Sequence, residues 1–540
     1  MTMIKKINYL VAILFFATFF SGSVYSQSDN FKTGKSLSVQ YNLLKTLQSQ
    51  YVDSIDIEKL ITTGVHSFLE TLDPYTVYIP EEEEDEIEMM TTASYGGVGA
   101  VIRKHDEGIM VVQPYKNTPS AKMGMVPGDL ILQINDKSAK GLEVADASAM
   151  MKGVPGTKLK LIIKKVRTKD TVEVVLKRER VHLSDLIYAG ILRDSVAYIQ
   201  MASFTLDGYK DVKQALEKMK ETGNIKKILL DLRSNPGGLM SEAVDIVSLF
   251  VEKGTKVVSA KGRGGEMLAE YATSKDPIDL DTPLMVLVNS GSASSSEIVA
   301  GALQDLDRAT IMGTRTFGKG LIQSIRDLGY GASLKVTTAK YYTPSGRCVQ
   351  AIDYSHRNED GSVGNVPDSL KKEFKTLKGR SVYDGGGIAP DVEIATKIYS
   401  RPLVALIYSV ILEDYAIKYF GENDSIASPS EFSLTDEEYA DFVKFAADKK
   451  FDTRTDALID MEDLIASAKR EGIYDSMSDQ LESLKEELSF TCEEFLEREK
   501  AEVKYLVERD IVTKYYYREG GAELAIRFDA QVYKALDAWK

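Results

Sequence analysis

Three stretches of the chain hold side chains that could do covalent chemistry. In Asn289-Ser290-Gly291-Ser292-Ala293-Ser294-Ser295-Ser296-Glu297, serines precede an apolar set, Ile298, Val299 and Leu303, with helical spacing. Ser294 followed three positions later by Glu297 is a capping-box pattern, which accounts for it as an N-cap. A serine hydroxyl at such a turn also stands where the free N–H groups of a helix start can stabilise an oxyanion, so one geometry suits a cap and a nucleophile alike. In Thr316-Phe317-Gly318-Lys319-Gly320-Leu321-Ile322-Gln323, a lysine lies between two glycines and beside a phenylalanine. Partial burial lowers a lysine from about 10.4 toward neutrality, and a neutral lysine can take a serine proton and return it to a leaving amine. Gln323, four residues on, is placed to orient that amine. A phosphate-binding lysine fits less well, because Gly313 and Lys319 are wrongly spaced for a P-loop and Gly320 replaces its Ser/Thr. In Arg233-Ser234-Asn235-Pro236-Gly237-Gly238, two glycines let the backbone approach a ligand and offer N–H groups, as an oxyanion hole needs; a tight βα turn would use the same glycines.

Other chemistries have less to stand on. The four histidines, His66, His105, His182 and His356, form no H-E-x-x-H, and neither Cys348 nor Cys492 lies in a C-x-x-C or Cys/His cluster, so no metal and no cofactor is expected. Two cysteines allow one bridge or two free thiols. With 67 basic against 81 acidic side chains the formal charge is -14, and no nucleic-acid partner is expected. At 540 residues the chain is long enough for three to five domains. Its 44% hydrophobic and 27% charged residues are those of a globular protein.

Several elements must position these residues. Lys5 and Lys6, an apolar stretch from Tyr9 to Phe20 and the small residues Ser21, Gly22 and Ser23 read as a signal peptide, residues 1–26, cleaved after Val24-Tyr25-Ser26. A retained anchor is the alternative. No later apolar run approaches 18 residues, so an exported protein of the periplasm or cell envelope, soluble after cleavage, is expected. Residues 27–93 carry helical spacing and end in an acidic run, Glu81 to Glu88. Residues 94–180 show short β-rich runs with Gly-rich turns and one helix, Val144 to Met151. In residues 181–395 the apolar runs Ile228 to Leu232 and Leu284 to Val288 each precede a turn and a helix, which indicates βα units in a buried sheet. Both turns lie at carboxyl ends of strands, where such folds place their sites. Residues 396–540 are helical, with Met477, Leu481, Leu484 and Leu488 at spacings that suit a helical cap or a dimer surface.

These motifs together resemble the C-terminal processing (tail-specific) peptidase family. The resemblance is carried by V-N-S-G-S-A-S-S-S-E-I-V-A-G-A-L-Q-D at 288–305 and G-T-R-T-F-G-K-G-L-I-Q at 313–323. It extends to D-L-R-S-N-P-G-G at 231–238, Y-Y-T-P-S-G-R at 341–347, G-G-I-A-P-D-V at 386–392 and L-D-P-Y at 72–75. Gly97-Val98-Gly99-Ala100 and the S-A-K-M-G-M-V-P-G-D-L-I stretch at 120–131 resemble a PDZ domain, whose glycine loop takes a peptide's terminal carboxylate.

The family implies a mixed α/β multidomain fold: a ClpP/crotonase-like peptidase core, an inserted mostly-β PDZ-like domain, and helical N- and C-terminal regions. It implies a serine endopeptidase with Ser294 as nucleophile, Lys319 as general base and Gln323 orienting the lysine. Oxyanion donors would be the Ser295 N–H and that of Gly237 or Gly238; the family usually has alanine where Ser295 stands, a small departure for a main-chain donor. Partners would be proteins or peptides with apolar C-termini, with an envelope adaptor and self-association through the helical regions left open. The rival readings are a catalytically inactive PDZ-containing binding or scaffold protein of the envelope, which leaves Ser294, Lys319 and Gln323 unexplained, and an acyl-thioester or hydratase-like enzyme, which has no use for the PDZ-like segment.

Overall fold

The computed structural model of the chain describes residues 30–83, 89–193 and 195–538. The expected signal peptide lies outside them, as does much of the acidic run. Among the described residues no helix is long and apolar enough to cross a membrane. Two compact units form, one of the residues up to Ile79 with Ile325–Val336, the other of Pro80–Ser324 with Thr337–Lys540.

In the smaller unit a helix spans 30–50, and a second, Ile57–Glu70, is capped by Asp56, whose carboxylate accepts the Lys59 N–H at 3.0 Å. The spacing predicts these helices but not the strand Val77–Ile79, which pairs antiparallel with Ser333–Lys335.

The larger unit is built on a six-stranded sheet in the order Leu186–Leu192, Val196–Met201, Lys227–Asp231, Leu284–Val288, Ala309–Gly313, Val392–Glu393. The first pair is antiparallel and the others parallel. Side chains alternate across it. Ile228, Leu230, Val286, Val288 and Ile311 point to one face, against helices Gly208–Thr222, Met240–Ser248 and Ser295–Asp305. Leu229, Met285, Leu287 and Met312 point to the other, where Val532, Ala535 and Leu536 of the last helix, Ala530–Ala538, cover them. Both faces are therefore dry, which is why these strands read as unbroken apolar runs. Each such buried aliphatic side chain contributes about 1.5–3 kcal/mol. Every residue of Ser295–Asp305 is buried, so the helix that follows the serine turn is a fixed part of the core.

The PDZ module is an antiparallel sheet in the order Ala100–His105, Gly108–Pro114, Leu130–Ile134, Lys158–Lys164, Thr171–Lys177, closed over its own core by helix Val144–Met151. Ala100–His105 pairs on one side only and forms the edge. Ser94–Gly97 belongs to a different element, a two-stranded antiparallel ribbon with Glu179–His182. The chain thus enters and leaves the module along adjacent strands.

Residues beyond 400 form helices with a core of their own, centred on Leu406, Tyr415, Phe442, Leu506 and Val512. Leu481 packs on Met461, Ile465 and Ala468 of the neighbouring helix Asp456–Glu471, while Leu484 stays exposed, so much of the Met477–Leu488 stripe is used within the chain. This helical region also holds the PDZ module. Arg103 pairs with Asp414 and, at 3.5 Å, with Glu413; Arg167 donates to the carbonyls of Phe420 and Asn423 at 3.2 and 3.1 Å; Lys514 donates to the Val112 carbonyl at 3.2 Å. Both cysteines are free, Cys348 in the sheet unit and Cys492 in the helical region, which closes the question of a bridge.

Candidate active site

The serine turn leaves the carboxyl end of strand Leu284–Val288 and enters helix Ser295–Asp305 with Ser294 at the N-cap. Ser294 has φ 54° and ψ -112°, a conformation that costs a non-glycine residue about 1–3 kcal/mol and persists only when its surroundings enforce it. They do so from four sides. The Ala293 N–H donates to the Asn235 carbonyl at 3.0 Å, the Phe317 N–H to the Ser292 carbonyl at 3.0 Å, and the Ser294 N–H to Glu297 Oε2 at 3.0 Å. The Tyr341 hydroxyl donates to the Ser294 carbonyl at 3.2 Å; burial holds that phenol well above its ordinary range, so it remains a donor.

Three neighbouring serines are committed elsewhere. Ser292 Oγ donates to the Leu232 carbonyl at 2.7 Å, Ser295 Oγ to the Gly238 carbonyl at 2.8 Å, and Ser296 Oγ to the Asn235 carbonyl at 2.9 Å. Each of these hydroxyls pins the serine turn to the glycine turn. Ser294 is half-buried at the front of the same turn.

Glu297 joins the serine turn to the lysine turn. Fully buried, its carboxylate accepts four hydrogen bonds: Oε1 from Thr316 Oγ1 at 2.6 Å and the Gly318 N–H at 2.7 Å, Oε2 from the Lys319 N–H at 2.8 Å and the Ser294 N–H at 3.0 Å. One oxygen therefore bridges the main chains of Ser294 and Lys319. Burial raises the Glu297 pKa, and the four donors oppose that rise. The capping-box pattern is present, yet it describes only part of this residue's work; its bonds to residues 316–319 have no local signal in the sequence. Lys319 is half-buried, and Gln323, on strand Leu321–Gly329, is held by its amide nitrogen on Thr337 Oγ1 at 3.2 Å.

The glycine turn lies directly against the serine. A Cβ added at Gly237, where φ is +99°, would come within 2.8 Å of Ser294 Cβ and 2.9 Å of the Ser295 nitrogen. Ser295 opens the helix, so its N–H has no preceding turn to pair with and is available to a ligand. The Gly237 N–H is taken by Asn235 Oδ1 at 2.9 Å in the conformation seen. At Gly238, φ is +153° and an added Cβ would lie 2.2 Å from the Phe204 carbonyl oxygen. Gly238→Ala should therefore displace the turn and lower stability by about 1–3 kcal/mol, as checked by urea denaturation.

In the PDZ module Gly99 has φ +76° and no room for a Cβ, which would fall 2.4 Å from Thr118. The Val98 carbonyl accepts from Ser120 N and Oγ at 2.9 and 2.8 Å, and the Gly99 carbonyl from Tyr115 N and Thr118 Oγ1, both at 2.9 Å. In a trans peptide the next N–H points the opposite way, so those of Gly99 and Ala100 face away from these partners, Ala100 toward the free strand edge. Beside Gly97 lies a cavity of about 470 Å³ lined by Met89, Met90, Tyr95, Tyr115, Ser148 and Lys152, among others.

Known proteins share this plan. Residues 195–355 match peptidase family S41, residues 110–165 the PDZ domain family, and residues 403–538 a family described as "Probable PDZ-protease, C-terminal helical domain". The chain is 34% identical over 355 residues to the carboxy-terminal-processing protease of Bartonella bacilliformis, covering 65% of this chain and 81% of that one. It is 30% identical over 365 residues to the carboxy-terminal processing protease CtpA of Bacillus subtilis, covering 67% and 75%. Among solved structures, the photosystem II D1 C-terminal processing protease is 24% identical, with 66% of this chain and 92% of that chain covered and a TM-score of 0.35. With two relatives matched over most of their length and matches to the PDZ, S41 and helical families following one another along the chain, the chain belongs to the C-terminal processing peptidases, PDZ-containing serine proteases of family S41.

Proposed function

We propose that the protein is an exported endopeptidase that captures C-terminal tails of protein substrates on its PDZ module and cleaves them with a Ser294/Lys319 dyad. The observation that carries this reading is the Glu297 carboxylate, which ties the main chains of Ser294 and Lys319 to one oxygen while neighbouring serines spend their protons on structure. In the proposed cycle Lys319 accepts the Ser294 proton as Oγ attacks the scissile carbonyl, then delivers it to the leaving amine. Water, deprotonated by the same lysine, releases the acyl group. The Ser295 N–H and an N–H of the Gly237-Gly238 turn hold the oxyanion, and Gln323 orients the lysine. The reading of export rests on residues 1–26.

The tail would add a strand to the Ala100–His105 edge, its carboxylate meeting the N–H groups of Gly99 and Ala100 and its last side chain entering the cavity beside Lys152. The experiment is cleavage of an unfolded protein with an apolar C-terminus, compared with the same protein ending in an amide, from pH 6 to 10. We expect the amide to raise KM about 10-fold or more, and a rising limb well below the ordinary lysine range. Equal KM values would remove the tail-capture reading; a rate independent of pH across this range would remove Lys319 as base.

A further inference from the structure

The glycine turn is held from behind by the chain's last two helices. Arg233 opens that turn, and its side chain is only 12% exposed. Its Nε donates to both Asp231 carboxylate oxygens at 3.0 Å. One terminal nitrogen donates to Asp231 Oδ2 at 2.5 Å and Asp529 Oδ2 at 2.7 Å, the other to Asp529 Oδ1 at 3.2 Å and Gln531 Oε1 at 2.9 Å. Asp231 is the near partner, two residues back at the end of the strand, where it is buried and accepts the Tyr198 hydroxyl at 2.7 Å. Asp529 is an external anchor. It lies between helices Lys500–Phe528 and Ala530–Ala538, and its Oδ1 accepts the N–H groups of Gln531 and Val532 at 2.9 and 3.0 Å, so the carboxylate is rigid before it meets the arginine. The helix it caps is seated on the far face of the sheet by Val532, Ala535 and Leu536.

From Arg233 the path to the site is short. Ser234, at φ 58°, donates its N–H to Asn289 Oδ1 at 2.8 Å. Asn235 then receives Ala293 N and Ser296 Oγ, and Gly237 touches Ser294. A shift at Arg233 must therefore appear at the oxyanion side of the serine. We propose that Asp529, supplied by the C-terminal helical region, is a positioning residue for hydrolysis: through Arg233 it sets the glycine turn against Ser294. This inference rests on the Ser294 acyl-enzyme reading.

The test uses the full chain with Asp529→Asn, Asp529→Glu and Arg233→Lys, an apolar-tailed protein substrate, and an activated ester whose burst counts working acyl-enzyme sites. Per working site, Asp529→Asn is expected to lower kcat about 10- to 100-fold with KM within about 3-fold, because a misplaced oxyanion donor is felt in the transition state. Arg233→Lys should do the same, since an ammonium cannot meet two carboxylates side-on. Asp529→Glu should restore part of kcat, and Asp529→Asn with Arg233→Lys should be no worse than the worse single variant, because both act on one path. Unchanged kcat per working site in the Asn and Lys variants, whatever their melting temperatures, would overturn the proposal. If the Asn variant does not fold, the Glu and Lys variants decide on the same kcat criterion. Absence of a Ser294-dependent burst in the unaltered chain would instead sink the acyl-enzyme reading and this proposal with it, a result distinct from a normal burst and normal kcat in the variants.

Discussion

Ser294→Ala and Lys319→Ala should each lower kcat by at least about 10³-fold while leaving tail binding intact. On the proposed dyad, loss of Oγ removes the nucleophile and loss of the amine removes the acceptor of its proton; groups that act as one unit show losses of this size or larger. For the same reason the double variant should be no slower than the slower single one. Tail affinity should survive because the Val98–Gly99 loop takes its shape from Tyr115, Thr118 and Ser120, within the PDZ module. Ser295→Ala is the discriminating control. It loses one hydroxyl bond to the Gly238 carbonyl but keeps the main-chain N–H, so kcat should fall only several-fold. A Ser295→Ala variant as dead as Ser294→Ala, or an active Ser294→Ala, would move the nucleophile.

Glu297→Gln should cost about 10²-fold in kcat, far more than its effect on stability suggests. A carboxylate can accept from all four of its partners, whereas an amide accepts at one end and donates at the other. If the NH2 end faces Ser294 and Lys319, it opposes two N–H donors. If it faces Thr316 and Gly318, it opposes the Gly318 N–H and a hydroxyl oxygen that already accepts the Ile388 N–H at 2.6 Å. Either way a buried donor loses its acceptor, at about 1–3 kcal/mol, and the serine and lysine turns part. The stability change is softened by linkage. Burial raises the Glu297 pKa in the folded protein, so the native state binds more protons than the unfolded chain between the two values. Ionised Glu297 therefore costs stability above the folded value, a cost relieved as pH falls through it and absent in the glutamine variant. Thermal melts beside kcat would show the split; a Gln variant with wild-type kcat would leave Glu297 as a simple helix cap.

What the sequence could tell depended on whether a contact was local. The runs Ile228 to Leu232 and Leu284 to Val288 announce buried strands because each is covered on both faces. Ser294, Lys319 and Gln323 stand out through compact motifs whose glycines, Gly291, Gly318 and Gly320, have no room for a Cβ. The glycine motif places Gly97 in a loop, whereas it closes a ribbon with Glu179, because pairing to a strand 82 positions away leaves no local pattern. The strand Val77–Ile79 was missed for a similar reason, its partner lying beyond residue 330. Asp529 reaches Arg233 across 296 positions, and a lone acidic residue between two helices carries no hint of that.

The ribbon of Ser94–Gly97 and Glu179–His182 has an architectural consequence. Along the chain the whole PDZ module is a single long insertion whose ends are already clasped. Closing such a loop costs only about 0.6 kcal/mol more for each doubling of its length. Changes of length within the module therefore add little closure cost between the same two strands, provided they keep the face on which Arg103, Val112 and Arg167 meet the helical region.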